Sequence, residues 1–99
     1  MPRTLKPISA ATEAINRRFF LAVERLVADG KVDSLSAFCL LHGLSDSRYR
    51  AMRLQYGVNP KPGYISQYKN LEVDAIHALT CNYPVSAQWL ITGRGAMLL

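Results

Sequence analysis

The chain has 99 residues, twelve Lys or Arg against seven Asp or Glu, and a formal charge of +5. This is the length of one domain, and a hydrophobic share of 49% supplies a small core without staples. Two cysteines with no close pair argue against a disulfide scaffold and for a cytoplasmic setting. No run approaches a membrane span, the opening MPRTLKPIS lacks the apolar core of a signal peptide, and the basic balance favours an anionic partner, nucleic acid first.

Residues 1–8 read as a short arm with two prolines and two basic residues, Arg3 and Lys6. The arm is expected to be mobile, either a plain tail or a basic strand that lies along a phosphate backbone. Residues 9–99 read as a single domain. Ser9 is placed to cap a first helix that runs to about Asp29. Ala11, Ile15, Phe19, Ala22, Val23, Leu26 and Val27 form its expected buried stripe. Glu13 and Arg17 stand at i, i+4 with the acid leading, and Gly30 is a natural stop. Phe20 and Leu21 fall off the stripe and are assigned to packing rather than to a partner surface.

Ser34 is placed to cap a second helix that ends at His42, with Leu35, Phe38 and Leu41 at helical spacing. Gly43 supplies the permissive backbone of a sharp reversal. Ser45 then caps a third helix that runs to about Tyr56, with Asp46 in its first turn, where a negative charge suits the helix dipole. Tyr49, Met52 and Tyr56 give this helix an apolar side. Its other side carries Ser47, Arg50, Ala51 and Leu54, flanked by Arg48 and Arg53. The next stretch, GVNPKPGYISQYK, is a loop, because its prolines and glycines break any helix. Tyr64 and Tyr68 are expected to anchor it to the core. From Ser45 to Lys69 there are five basic residues (Arg48, Arg50, Arg53, Lys61, Lys69) and one acid, Asp46.

Asn70 is expected to cap a fourth helix with Glu72 and Asp74 in its first turn, Val73, Ile76, Leu79 and Tyr83 inward, and Pro84 at its end. Ser86 caps a fifth, AQWLIT, which Gly93 terminates, with Trp89 and Leu90 in the core. The apolar tail GAMLL either closes a homodimer or folds back as packing.

LSAFCLLHGLSDSRYRAM (Leu35 to Met52) resembles the helix-turn-helix of the lambda-repressor-like (Xre-type) DNA-binding family. A small residue, Cys39, stands four positions before the turn glycine. Apolar Leu44 follows it, and Tyr49 and Met52 stand six and nine positions after it. YPVSAQWLITGRG (Tyr83 to Gly95) is similar to the family's closing segment, with its Trp-Leu-x-x-Gly signature. The resemblance covers Leu35 to Gly95. It implies an all-α, five-helix lambda-repressor-like DNA-binding domain that acts as a transcriptional regulator of phage or mobile-element repressor type. It also implies a homodimer on pseudo-palindromic double-stranded DNA.

Carried over position by position, the third helix, about residues 46–56, enters the major groove. Asp46, Ser47, Arg50 and Ala51 then approach base edges. Arg50 suits a bidentate contact to guanine, and Asp46 is suited either to accept from cytosine or only to cap. Ser34, Ser45, Arg48, Arg53, Lys61 and Lys69 fall to the phosphates.

A rival reading from a different class keeps the fold and drops the DNA: a protein-interaction module of antitoxin-like or anti-repressor-like kind. It would rely on Phe20, Leu21 or the tail. A zinc set is also conceivable, since Cys39 and His42 are at i, i+3 and His77 and Cys81 at i, i+4. The resemblance instead puts Cys39 at a small buried position of the helix crossing, and no metal is expected. Thr92 to Gly95 lacks the length and the Lys-Ser/Thr of a phosphate loop. No enzyme activity, cofactor or small-molecule substrate is expected.

Overall fold

In a computed structural model, residues 8–99 are described, and they form an all-α arrangement of five helices. These are α1 (Ala10–Ala28), α2 (Leu35–Leu41), α3 (Asp46–Tyr56), α4 (Val73–Asn82) and α5 (Ala87–Thr92). Among the described residues no helix is long and apolar enough to cross a membrane. Residues 1–7 of the expected arm, with Arg3 and Lys6, lie outside the described residues. Ile8, assigned to that arm, is half-buried against the core.

α1 is the axis, because each of the other four helices packs on it. A helix surrounded on several sides buries more than one stripe. That is why Asn16 and Phe20 are buried beside Phe19, Ala22, Val23 and Leu26, while Ala11 is exposed and Ile15 and Val27 only half-buried. Phe19 sits at the centre, with ring centroids 5.1 Å from Phe20, 5.9 Å from Phe38 and 5.7 Å from Tyr49. Leu21 stays exposed, so packing is right for Phe20 and wrong for Leu21.

The hydroxyl of Ser34 accepts from the Ala37 amide (3.0 Å) and starts α2, which buries Leu35, Phe38 and Cys39. Leu41 departs from expectation and is 73% exposed. At 100° per residue it lies off the Leu35–Phe38–Cys39 face, whereas His42 returns to it. The His42 ring stands 4.8 Å from Phe38, and its Nε2 pairs with the Tyr83 hydroxyl at 2.8 Å. Gly43 then takes φ +69, and the Leu44 amide donates to the Cys39 carbonyl at 2.8 Å, the closing bond of a Schellman turn.

α3 begins with the Ser45 hydroxyl accepting from the Arg48 amide (3.4 Å), and it buries Tyr49, Met52 and Tyr56 as expected. The connection to α4 has no helix but is tied along its length. The Lys61 amide donates to the Leu54 carbonyl (2.7 Å), the Ser66 amide to Gln55 Oε1 (2.8 Å), and Asn16 Nδ2 to the Lys69 carbonyl (2.8 Å). The Glu72 amide closes the series by donating to the Tyr49 hydroxyl at 3.0 Å.

α4 starts two residues later than a cap at Asn70 requires. Glu72 is its N-cap residue and makes no side-chain cap bond, while the Asn70 carbonyl is taken by Arg48. The inward set shifts accordingly. Ala75, Ala78 and Leu79 are buried, Ile76 and Tyr83 are half-buried, and Val73 faces solvent. α5 follows the expectation closely: Ser86 caps it, Leu90 is buried, and Gly93 ends it at φ +75. Arg18 reaches from α1 to donate to the Leu90 (2.7 Å) and Ile91 (3.0 Å) carbonyls. The tail folds back. The Ser86 amide donates to Met97 O and the Leu99 amide to Pro84 O, which leaves Met97 and Leu98 against the core and Leu99 exposed.

Candidate functional site

α3 has two opposed faces. Tyr49, Met52 and Tyr56 point into the core, and Ser47, Arg50 and Leu54, at i, i+3 and i+7, point to solvent. The inward aromatics fix the helix's rotation, because turning it would expose them at about 1.5–3 kcal/mol per side chain. Ser47 and Arg50 are therefore displayed by the burial behind them. Half-buried Ala51 and Arg53 flank this stripe. The bond from the Lys61 amide to Leu54 brings exposed Lys61 to its far end.

At the near end, both carboxylate oxygens of Asp46 are engaged. Ser36 Oγ on α2 donates to Oδ1 at 2.7 Å, and Arg50 Nε forms an ion pair with Oδ2 at 3.1 Å. The Arg50 side chain remains 58% exposed. Ser36 was not singled out by the sequence. It lies ten residues from Asp46, across the turn, where no periodicity signals a contact. Ser45 and Ser47 stand with their hydroxyl oxygens 3.3 Å apart at the same end. Ser34 is exposed at the start of α2 and keeps its own O–H proton while its oxygen caps the helix.

Two basic residues assigned to phosphates occupy a different setting. Arg48 donates through Nη2 to the Asn70 carbonyl, holds Nε 3.8 Å from Glu72 Oε1, and places Cζ 5.1 Å from the Tyr68 ring centroid. Its side chain is 26% exposed, so its charge braces the loop against the start of α4. Lys69 is half-buried, and its carbonyl is the partner of Asn16. Of the six residues assigned to phosphates, Ser45, Arg53 and Lys61 lie along or beside the outward stripe, Ser34 is exposed at the start of α2, and Arg48 and Lys69 are drawn towards the loop.

The proposed zinc residues divide. Cys39 is buried and Cys81 and His77 are exposed, while His42 is bonded to Tyr83. Among the described residues no three His, Cys, Asp or Glu side chains gather to hold a metal ion. Burial, with lesser pushes from the Asp46 and Glu72 carboxylates, raises the Cys39 thiol to about 11. Burial also raises the Tyr49 hydroxyl to about 12.

Beyond Ser47 and Arg50, apolar groups remain uncovered. Leu40 (84% exposed) and Leu41 adjoin on α2. A depression of about 240 Å³ is lined by Glu24, Arg53, Leu54, Val58 and Asn59. A second, of about 190 Å³, shares Val58 with it and includes Leu21 and Tyr56. Comparison of the chain with protein-family models, with curated proteins and with solved structures found no match.

Proposed function

We propose that this chain is a sequence-specific double-stranded DNA-binding transcriptional regulator of lambda-repressor-like type, with α3 as the helix that enters the major groove. The observation that carries the reading is the opposition of faces on α3. A capped helix after a glycine turn buries Tyr49, Met52 and Tyr56 and presents Ser47 and Arg50, with Arg53 and Lys61 beside them. In this reading Ser47 and Arg50 reach base edges and Ala51 offers a methyl contact. Ser34, Ser45, Arg53 and Lys61 serve the phosphates. The protein acts in the cytoplasm as a homodimer and regulates by occupying its operator, with no chemical step.

The test is selection from random duplexes near physiological salt. The expected result is an enriched motif of two inverted half-sites about one helical turn apart. Weak binding that vanishes with salt and enriches nothing would refute the reading. The second reading, a protein-interaction module, is favoured by adjoining Leu40 and Leu41 on α2, which face solvent without cover. It gains the lead if selection enriches nothing.

A further inference from the structure

We infer that Asp46 is a positioning residue that sets how Arg50 reads DNA, and that the Ser36–Asp46–Arg50 chain makes this position select guanine. The inference rests on the reading of α3 as the recognition helix. Its foundation is geometric. Arg50 Nε is ion-paired with Asp46 Oδ2 at 3.1 Å, and Ser36 Oγ, on the neighbouring helix, donates to the other carboxylate oxygen at 2.7 Å. With its Nε edge paired to the carboxylate, the guanidinium has its two terminal nitrogens left as a forked pair of donors. Guanine offers two acceptors, N7 and O6, to such a fork. Adenine pairs its N7 with an amino donor, and an arginine fork meets that donor unfavourably. Pairing Arg50 with a carboxylate that Ser36 itself pins removes rotamers in advance, so less ordering is left to be done on binding.

The sign of the charge argues that the chain serves selection rather than affinity. A carboxylate at the DNA-facing end of α3 opposes every phosphate equally, and it weakens all duplexes regardless of sequence. An exposed pair of this kind adds little to folding, about 0–1 kcal/mol. The helix dipole adds a little stability at this first-turn position, and orientation of Arg50 gives the same carboxylate a role in selection.

The experiment measures guanine preference as the ratio of affinities for the selected duplex and for one with that base pair changed, beside affinity for random duplex. Asp46→Ala is expected to bind random duplex more tightly, by about two- to fivefold, because one opposing charge is gone. It should also lose at least about threefold of the guanine preference, part of the discrimination a bidentate arginine supplies. Asp46→Asn removes the charge that pairs with Arg50 but keeps the side chain's size and a hydrogen bond to Ser36. It should gain the same general affinity and lose part of the preference, less than Asp46→Ala. Ser36→Ala should lose preference with no change on random duplex. In an Arg50→Ala background, Asp46→Ala should change preference no further. Far-UV circular dichroism confirms that each variant folds, and Ser36→Ala carries the test if Asp46→Ala does not.

Full preference in both Asp46→Ala and Ser36→Ala, beside a normal wild-type motif, overturns this inference and leaves the proposed function standing. A wild-type protein that enriches no motif overturns both.

Discussion

Arg48→Ala separates the structural account from the sequence expectation, which placed this residue at a phosphate. Its guanidinium donates to the Asn70 carbonyl, faces Glu72 at 3.8 Å and lies over Tyr68. A charged hydrogen bond contributes about 1.5–3 kcal/mol, and the low end applies because Asn70 is exposed and water replaces the donor. The partly exposed ion pair adds about 0–1 kcal/mol, and the cation–π contact about 0.5–1 kcal/mol. The expected loss is about 2–3 kcal/mol. In a domain this small it lowers Tm by about 8–24 °C. Urea and thermal melts at neutral pH measure it, and Arg48→Met, which keeps the packing over Tyr68, should recover part. The slope of log affinity against log salt should be unchanged for Arg48→Ala and should fall by about one unit for Arg53→Ala. A loss below about 0.5 kcal/mol together with a reduced slope would show that Arg48 serves the phosphates and that the loop does not need it.

Phe19→Ala removes the ring that joins α1, α2 and α3. It should cost about 3–5 kcal/mol by urea denaturation, and a cost under 1 kcal/mol would mean that the cluster repacks. A thiol reagent at pH 8 should label exposed Cys81 rapidly and buried, protonated Cys39 only on unfolding, so two equally fast cysteines in the native protein would contradict the packing of α2. Stability should also fall in alkali. Cys39 ionises at its ordinary 9.0 when unfolded and at about 11 when folded, so the unfolded state holds fewer protons between those values. Tyr49 repeats this from 10.0 to about 12. The slope is about −1.4 kcal/mol per pH unit for each group within its own window. A urea midpoint that stays level to pH 11 would refute the burial of both groups.

The helices were legible where capping and periodicity coincided. Ser9, Ser34, Ser45 and Ser86 all accept the amide three residues on, and the helices they open lie close to where the sequence put them. The start of α4 was not legible, because it is set at a distance. Tyr49 and Arg48 hold Glu72 and Asn70 in place, and no local pattern announces that. The same cause explains the shifted faces. Val73 suits a helical stripe but looks to solvent, and Asn16 is buried because the Lys69 carbonyl arrives from another segment. At the candidate site the outward face of α3 followed from the inward aromatics, which periodicity reveals. Asp46 and Arg50 stand at the i, i+4 spacing that favours a pair, but the bond from Ser36 to Asp46 did not follow, since a side-chain bond across a turn leaves no trace in spacing. Charge count alone did not distinguish Arg48 from Arg53, although one braces a loop and the other flanks the outward stripe.

The measurement that bears most directly on the central claim is a titration of isotopically labelled protein with a short selected duplex, followed by amide chemical shifts. The largest changes should fall on Ser34 to Ser36, Ser45 to Leu54 and Lys61, and α5 and the Met97 to Leu99 tail should change little beyond any dimer contact. Changes centred on Leu40, Leu41, Leu21 or Val58, with α3's outward face unmoved, would contradict that claim and identify those apolar surfaces as the working face of the protein.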